Sequence, residues 1–266
     1  MRVKTTVGEL YVEESGEGPA LVLWHSFLHH GGMWRGQLEA LRRRHRVLNI
    51  DAPGHGRSER WRAPLSMPDC ASAVREILDS RRIERAAFVG LSWGGMVAMQ
   101  LAIESPARLW AMALFDTSCR RETLKNRVEY ALLGRLFRTL GAVPSLMRRV
   151  EPMMFGAHSL RRRPPIIDEW SAYVGGLDRE SVWEALQCIA HRRDVSADLA
   201  RVRVPTLVAV GAQDRAQPAA QSEAIARAIP GARLVRIADA GHLSALERPD
   251  LVNPVLTEFL QAHASA

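Results

Sequence analysis

The chain has 266 residues, 47% hydrophobic and 24% charged, which suits one large domain or a domain with an insertion and excludes a largely disordered chain. Lys and Arg number 36 against 29 Asp and Glu, a net charge of +7, and only Lys4 and Lys125 are lysines. A basic balance points to nucleic acid, an anionic membrane, acidic substrates or a plain bias toward arginine.

No apolar run reaches the roughly 18 residues of a bilayer span. The N-terminal stretch alternates and carries acids, unlike the continuous apolar core of a signal peptide, so a cytoplasmic location is expected. Cys70, Cys119 and Cys188 are far apart, odd in number and without metal spacing, so they are expected to be reduced, packed thiols. No basic, aromatic-rich segment offers a base-stacking platform, and no nucleic-acid or membrane partner is expected.

In chain order, Leu10–Glu13 alternates and runs into the turn Gly16-Glu17-Gly18-Pro19, which predicts an antiparallel hairpin. Compact apolar runs follow at Ala20–Trp24, Arg46–Ile50, Ala86–Gly90, Leu109–Phe115, Pro205–Val210 and Arg233–Ile237. Each has the length of a strand buried on both faces, as a parallel sheet requires. Ser72–Leu78, Met96–Ile103 and Gln221–Ile229 carry apolar residues at helical spacing. The alternation predicts an α/β fold with a mostly parallel sheet and helices on both faces.

Residues 120–195 break the pattern. They hold no strand-like run and read as short helices punctuated by Gly and Pro. The expected organisation is a core of residues 1–119 and 196–266 with a helical cap at 120–195.

The sharpest local signal is Gly90-Leu91-Ser92-Trp93-Gly94, a G-x-S-x-G between a strand-like and a helical run. So tight a strand-to-helix turn needs small residues around the serine, and it exposes the hydroxyl at a helix N-terminus. A serine nucleophile needs a base, and the base needs an orienting acid, in the chain order Ser, Asp/Glu, His. Asp214 and His242 each follow a predicted strand. Asp116, after the strand next to the elbow, competes with Asp214 for the acid's role; Asp239 should face away, and Asp51 reads as structural.

These elements together resemble the α/β-hydrolase superfamily across nearly the whole chain: the hairpin, Trp24-His25, D-A-P-G-H-G-R-S from Asp51, G-L-S-W-G-G from Gly90, P-T-L-V-A-V-G-A-Q-D from Pro205 and A-G-H-L-S-A-L-E-R-P from Ala240. The resemblance implies an oxyanion hole from the amides of Trp93 and Phe27. Ser26 stands where glycine is commoner, and its hydroxyl either adds a donor or caps the turn. His25 and His55 are expected to be structural, and His29-His30 lacks the carboxylates of a metal site. No metal and no cofactor are expected.

Serine at the elbow disfavours the haloalkane dehalogenases and epoxide hydrolases, which place Asp there. The chain is similar to 3-oxoadipate enol-lactonase-like and carboxylesterase-type members, which implies hydrolysis of a carboxylic ester or lactone. C–C bond hydrolases, cofactor-free perhydrolases and small-molecule receptors share the fold, and homo-oligomerisation stays open. Residues 120–195 hold 14 Lys and Arg and 9 Asp and Glu, a net of +5. That excess either steers carboxylate-bearing substrates to Ser92 or forms a solvated surface.

Overall fold

The computed structural model describes residues 1–264. Eight strands form one sheet: β1 (Arg2–Thr5), β2 (Gly8–Ser15), β3 (Ala20–Trp24), β4 (Arg46–Ile50), β5 (Ala86–Leu91), β6 (Leu109–Phe115), β7 (Thr206–Gly211) and β8 (Arg233–Ile237). Their spatial order is β1-β2-β4-β3-β5-β6-β7-β8. β1 and β2 are antiparallel, β2 and β4 are antiparallel, and the remaining pairs are parallel.

The helices of the sheet are α1 (Arg35–Leu41), α2 (Met67–Ser80) and α3 (Trp93–Glu104). Between β6 and β7 lie α4 (Leu124–Leu140), α5 (Pro144–Met154), α6 (Ala157–Arg162), α7 (Pro165–Gly175) and α8 (Arg179–Ala190). The short α9 (Ser196–Leu199) leads into β7, and α10 (Ala219–Ala228), α11 (Ser244–Glu247) and α12 (Pro249–His263) complete the chain.

β3, β5, β6 and β7 are buried along their whole length. Alternation splits their side chains between two cores, one per face. Val22, Trp24 and Phe88 pack with α2 and α3 on one side. Leu21, Leu23 and Val89 pack with α12 and the 120–195 helices on the other. α2 starts with a capping box in which Ser66 and Asp69 satisfy each other's backbone N–H groups, with Pro68 in the first turn.

Two expectations change. The Gly16–Pro19 turn does not close a hairpin, because β4 lies between β2 and β3. The hairpin is β1–β2, closed between Thr5 and Gly8. Gly16 and Gly18 carry positive φ of 76° and 113°, and a Cβ there would lie 2.3 Å from the His45 oxygen and 2.5 Å from the Arg44 oxygen. These glycines let the chain cross the α1–β4 connection rather than turn back along it. β8 is an edge strand with exposed Arg233 and Arg236, not a strand buried on both faces.

Candidate active site

Ser92 sits between β5 and α3 at φ 55° and ψ −107°, a conformation that L residues rarely hold. Three backbone contacts fix it. Its N–H donates to the Phe115 oxygen (2.8 Å), and its carbonyl accepts from Thr117 Oγ1 (2.7 Å) and the Met96 N–H (3.0 Å). The flanking glycines are forced by contact. A Cβ on Gly90 would lie 2.3 Å from the Gly94 carbonyl carbon, and one on Gly94 would lie 2.2 Å from the Trp24 oxygen.

Asp214 lies in the turn after β7, where its Oδ1 accepts the N–H groups of Ala216 and Gln217, each at 2.9 Å. Its Oδ2 stands 3.0 Å from Nδ1 of His242, in the loop after β8. Both side chains are buried. Burial opposes the imidazolium, but the Asp214 charge and hydrogen bond outweigh it, so His242 titrates above its ordinary value of 6.5.

Asp116 takes a different role. Its Oδ1 accepts the Gly211 N–H (2.7 Å) and its Oδ2 accepts the Ser244 hydroxyl (2.5 Å). Complete burial, reinforced by the nearby Asp214 charge, pushes its carboxyl well above the usual range. It braces the Asp214 and His242 loops from below, whereas Asp214 is the acid hydrogen-bonded to the imidazole.

Phe27 lines the cavity beside Ser26, and Trp93 opens α3. Among the described residues, neither amide N–H has a protein acceptor. The Phe27 loop is pinned from the inserted helices. Trp170 Nε1 donates to the Leu28 oxygen (3.0 Å), and the Tyr173 hydroxyl donates to the His29 oxygen (3.1 Å). The Trp93 ring is fully buried against Trp24, His25 and His55.

The neighbouring histidines belong to the scaffold. His25 Nε2 accepts the Ala52 N–H (2.8 Å) while Nδ1 faces the Ser26 oxygen (2.7 Å). Burial, with His55 alongside, holds His25 well below its ordinary value, and burial takes His55 down to about 4 and His29 to about 3. Asp51 accepts the N–H groups of Gly31 (2.7 Å) and Arg57 (2.8 Å).

Sequence reasoning missed Glu247. Its carboxylate accepts the Gly241 N–H (2.8 Å) and the Gly156 N–H (2.9 Å), tying the His242 loop to the inserted helices. Gly156 and Gly241 nearly touch, since a Cβ on Gly241 would lie 2.2 Å from the Gly156 nitrogen. The only clue was its place in the A-G-H-L-S-A-L-E-R-P string.

It missed the cavity walls as well. Ser92 and His242 open into a cavity of about 130 Å³ between the sheet and the 120–195 helices. α4 contributes Tyr130, Leu133, Gly134 and Phe137; α5 contributes Leu146, Met147, Val150, Met153 and Met154; α8 contributes Val182, Leu186 and Ile189. Each set recurs at helical spacing, which marks an inward face without saying what it encloses. No Lys, Arg, Asp or Glu lines the cavity. Burial, with Glu122 nearby, pushes the Tyr130 phenol up to about 12, so it stays neutral.

This arrangement defines a class, a hydrolase with a serine nucleophile elbow at the C-terminal end of a central strand in a mostly parallel sheet. The chain matches the alpha/beta hydrolase fold family over residues 19–249 and belongs to it. It is similar to an esterase from Thermogutta terrifontis, at 29% identity and a TM-score of 0.92, covering 99% of this chain and 98% of that one. The enol-lactonase from Burkholderia xenovorans LB400 is similar at 31% identity and a TM-score of 0.91, covering 98% and 100%. A pimeloyl-[acyl-carrier protein] methyl ester esterase of Nitrosomonas europaea shares 28% identity over 92% of this chain and 96% of its own. The chain is thus an ester-bond hydrolase of the carboxylesterase and lactonase type.

Proposed function

We propose that the protein hydrolyses an uncharged, apolar carboxylic ester or lactone through an acyl-enzyme on Ser92. The observation that carries the reading is that His242 lines the same apolar cavity as Ser92 and is backed, 3.0 Å away, by the buried Asp214 carboxylate. His242 takes the Ser92 proton as the hydroxyl attacks the carbonyl. Asp214 holds the Nδ1–H tautomer, which leaves Nε2 to act as base.

The Phe27 and Trp93 amides donate to the oxyanion, and each such donor contributes roughly 10²–10³ in rate. Collapse of the tetrahedral adduct expels the alcohol, protonated by His242. Water, activated by the same imidazole, then releases the acid. No cofactor takes part.

Residues 120–195 act as the cap that selects the acyl group. Since no cation lines the cavity, selection there favours uncharged chains, and the arginine excess has no local role in binding a carboxylate. A cytoplasmic setting fits the three buried, unbridged cysteines.

A series of p-nitrophenyl esters, together with an enol-lactone, tests the reading. We expect turnover of the esters, with kcat/KM rising from acetate to longer acyl chains and then falling. Ser92→Ala should lose at least about 10⁴ in kcat with its unfolding midpoint unchanged. A folded protein that turns over none of these substrates would overturn it.

A further inference from the structure

Among the described residues, six large apolar side chains are exposed, and five belong to α4: Leu124 (75%), Val128 (61%), Leu132 (63%), Leu136 (39%) and Leu140 (53%). They recur at every fourth position, so they form one slowly winding row along a helix about 25 Å long. The opposite face of α4 carries Tyr130, Leu133 and Phe137 into the cavity. α4 is therefore apolar toward the cavity and apolar toward solvent, a pattern that an isolated soluble surface does not call for.

The unpaired charges within the row are positive. Lys125, Arg127 and Arg135 on α4, and Arg121 just before it, are exposed and make no ion pair with the described residues. The acids nearest the row are engaged, Glu129 with Arg149 (2.9 Å) and Glu122 with Arg192 (2.9 Å), while Glu184 on the neighbouring α8 faces Arg138 without an ion pair. By helical rotation Lys125 and Arg135 fall within the arc of the apolar row.

We propose that the outer face of α4 docks on an anionic lipid surface, with the five apolar side chains entering the headgroup boundary and Lys125 and Arg135 meeting lipid phosphates. This is the signature of an interfacial amphipathic helix. The sequence led us to expect no membrane partner because no segment can span a bilayer, and no helix of the described residues is long and apolar enough to do so. Peripheral docking needs no span.

A second copy fits the face less well. Two α4 helices set face to face would bring Lys125 and Arg135 of both copies together, where the acid within the row, Glu129, is already paired with Arg149. On the proposed esterase reading, the same helix would present a membrane-dissolved ester to the cavity from its inner face, but the docking itself does not depend on that reading.

The test is cosedimentation of the full chain with phosphatidylcholine vesicles, with and without 30% phosphatidylglycerol, at low salt. We expect binding about tenfold or more tighter with phosphatidylglycerol, and weakened by salt. The double variant Val128→Glu, Leu132→Glu should lose at least about tenfold in that affinity. Its turnover of p-nitrophenyl acetate without vesicles should stay within about twofold of the parent, which shows that it folds. Equal binding to neutral and anionic vesicles, or undiminished binding by the double variant, would overturn the proposal. So would polyglutamate bound as tightly as the vesicles, or a dimer in sedimentation equilibrium that the double variant dissolves.

Discussion

The sheet and the helices inserted between β6 and β7 meet at one cavity but are built differently. β3, β5, β6 and β7 are buried throughout, and their loops close on glycine contacts too tight for any side chain. Ser92 and Asp214 come from the loops after β5 and β7, and His242 from the loop after the edge strand β8. The inserted helices are half exposed and give the cavity no ionisable side chain other than the neutral Tyr130 phenol. Their contribution is wall. Chemistry resting on the rigid layer and selection on the looser one should be separable by substitution.

The largest expected effect breaks the chemistry alone. Asp214→Asn should lower kcat by about 10⁴ by favouring the wrong imidazole tautomer, with KM for a short ester little changed, as steady-state kinetics would register. An equal loss in binding would blur the division.

Next comes the join between the layers. Glu122 and Arg192, 5–6% exposed in their side chains, form an ion pair where the chain leaves and re-enters the sheet. Beside it the Val195 N–H donates to the Cys119 oxygen (2.9 Å). Arg192→Met strands Glu122 and should cost about 3–5 kcal/mol in denaturant unfolding, with the remaining folded protein still active.

Selection is smaller in scale. Met147→Trp fills part of the cavity and should shift preference toward shorter acyl chains by roughly 10–200-fold, while acetate turnover holds. A uniform loss across chain lengths would instead place Met147 in the chemistry.

A shift in pH dependence is expected as well. His242 must be neutral to act as base, so kcat/KM should rise with pH around a midpoint above 6.5. Because its folded pKa is raised, the Asp214–His242 pair stabilises the fold fully below the unfolded histidine value. That contribution fades as pH rises through the folded one. The smallest effect belongs to Asp116→Asn, which keeps an acceptor for the Gly211 N–H, does not touch His242, and should leave kcat within about tenfold.

The two layers were also unequally legible. Runs such as Ala86–Val89 read as strands because burial on both faces leaves no room for polar residues, and the elbow announced itself through its glycines. Ser92, Asp214 and His242 stood out as candidates because each follows a strand. Asp214 was the expected acid with Asp116 its competitor, since the two follow adjacent strands. Only the extra reach of the turn after β7 brings Asp214 to the imidazole. β8 was misread because an edge strand and an interior one can share the same short apolar pattern. The cavity was hidden for a similar reason: α4 is apolar on two faces, and periodicity cannot say which of them turns inward. The arginine excess left both substrate steering and a solvated surface open, and no arginine lines the cavity among the described residues.

The central claim is that Ser92 is activated by His242, which is held by Asp214. Labelling with a fluorophosphonate followed by peptide mass spectrometry reads it most directly. One adduct per chain is predicted, on the peptide containing Ser92, absent in Ser92→Ala and formed far more slowly in Asp214→Asn. An adduct on another residue, or none on the folded protein, would contradict the account.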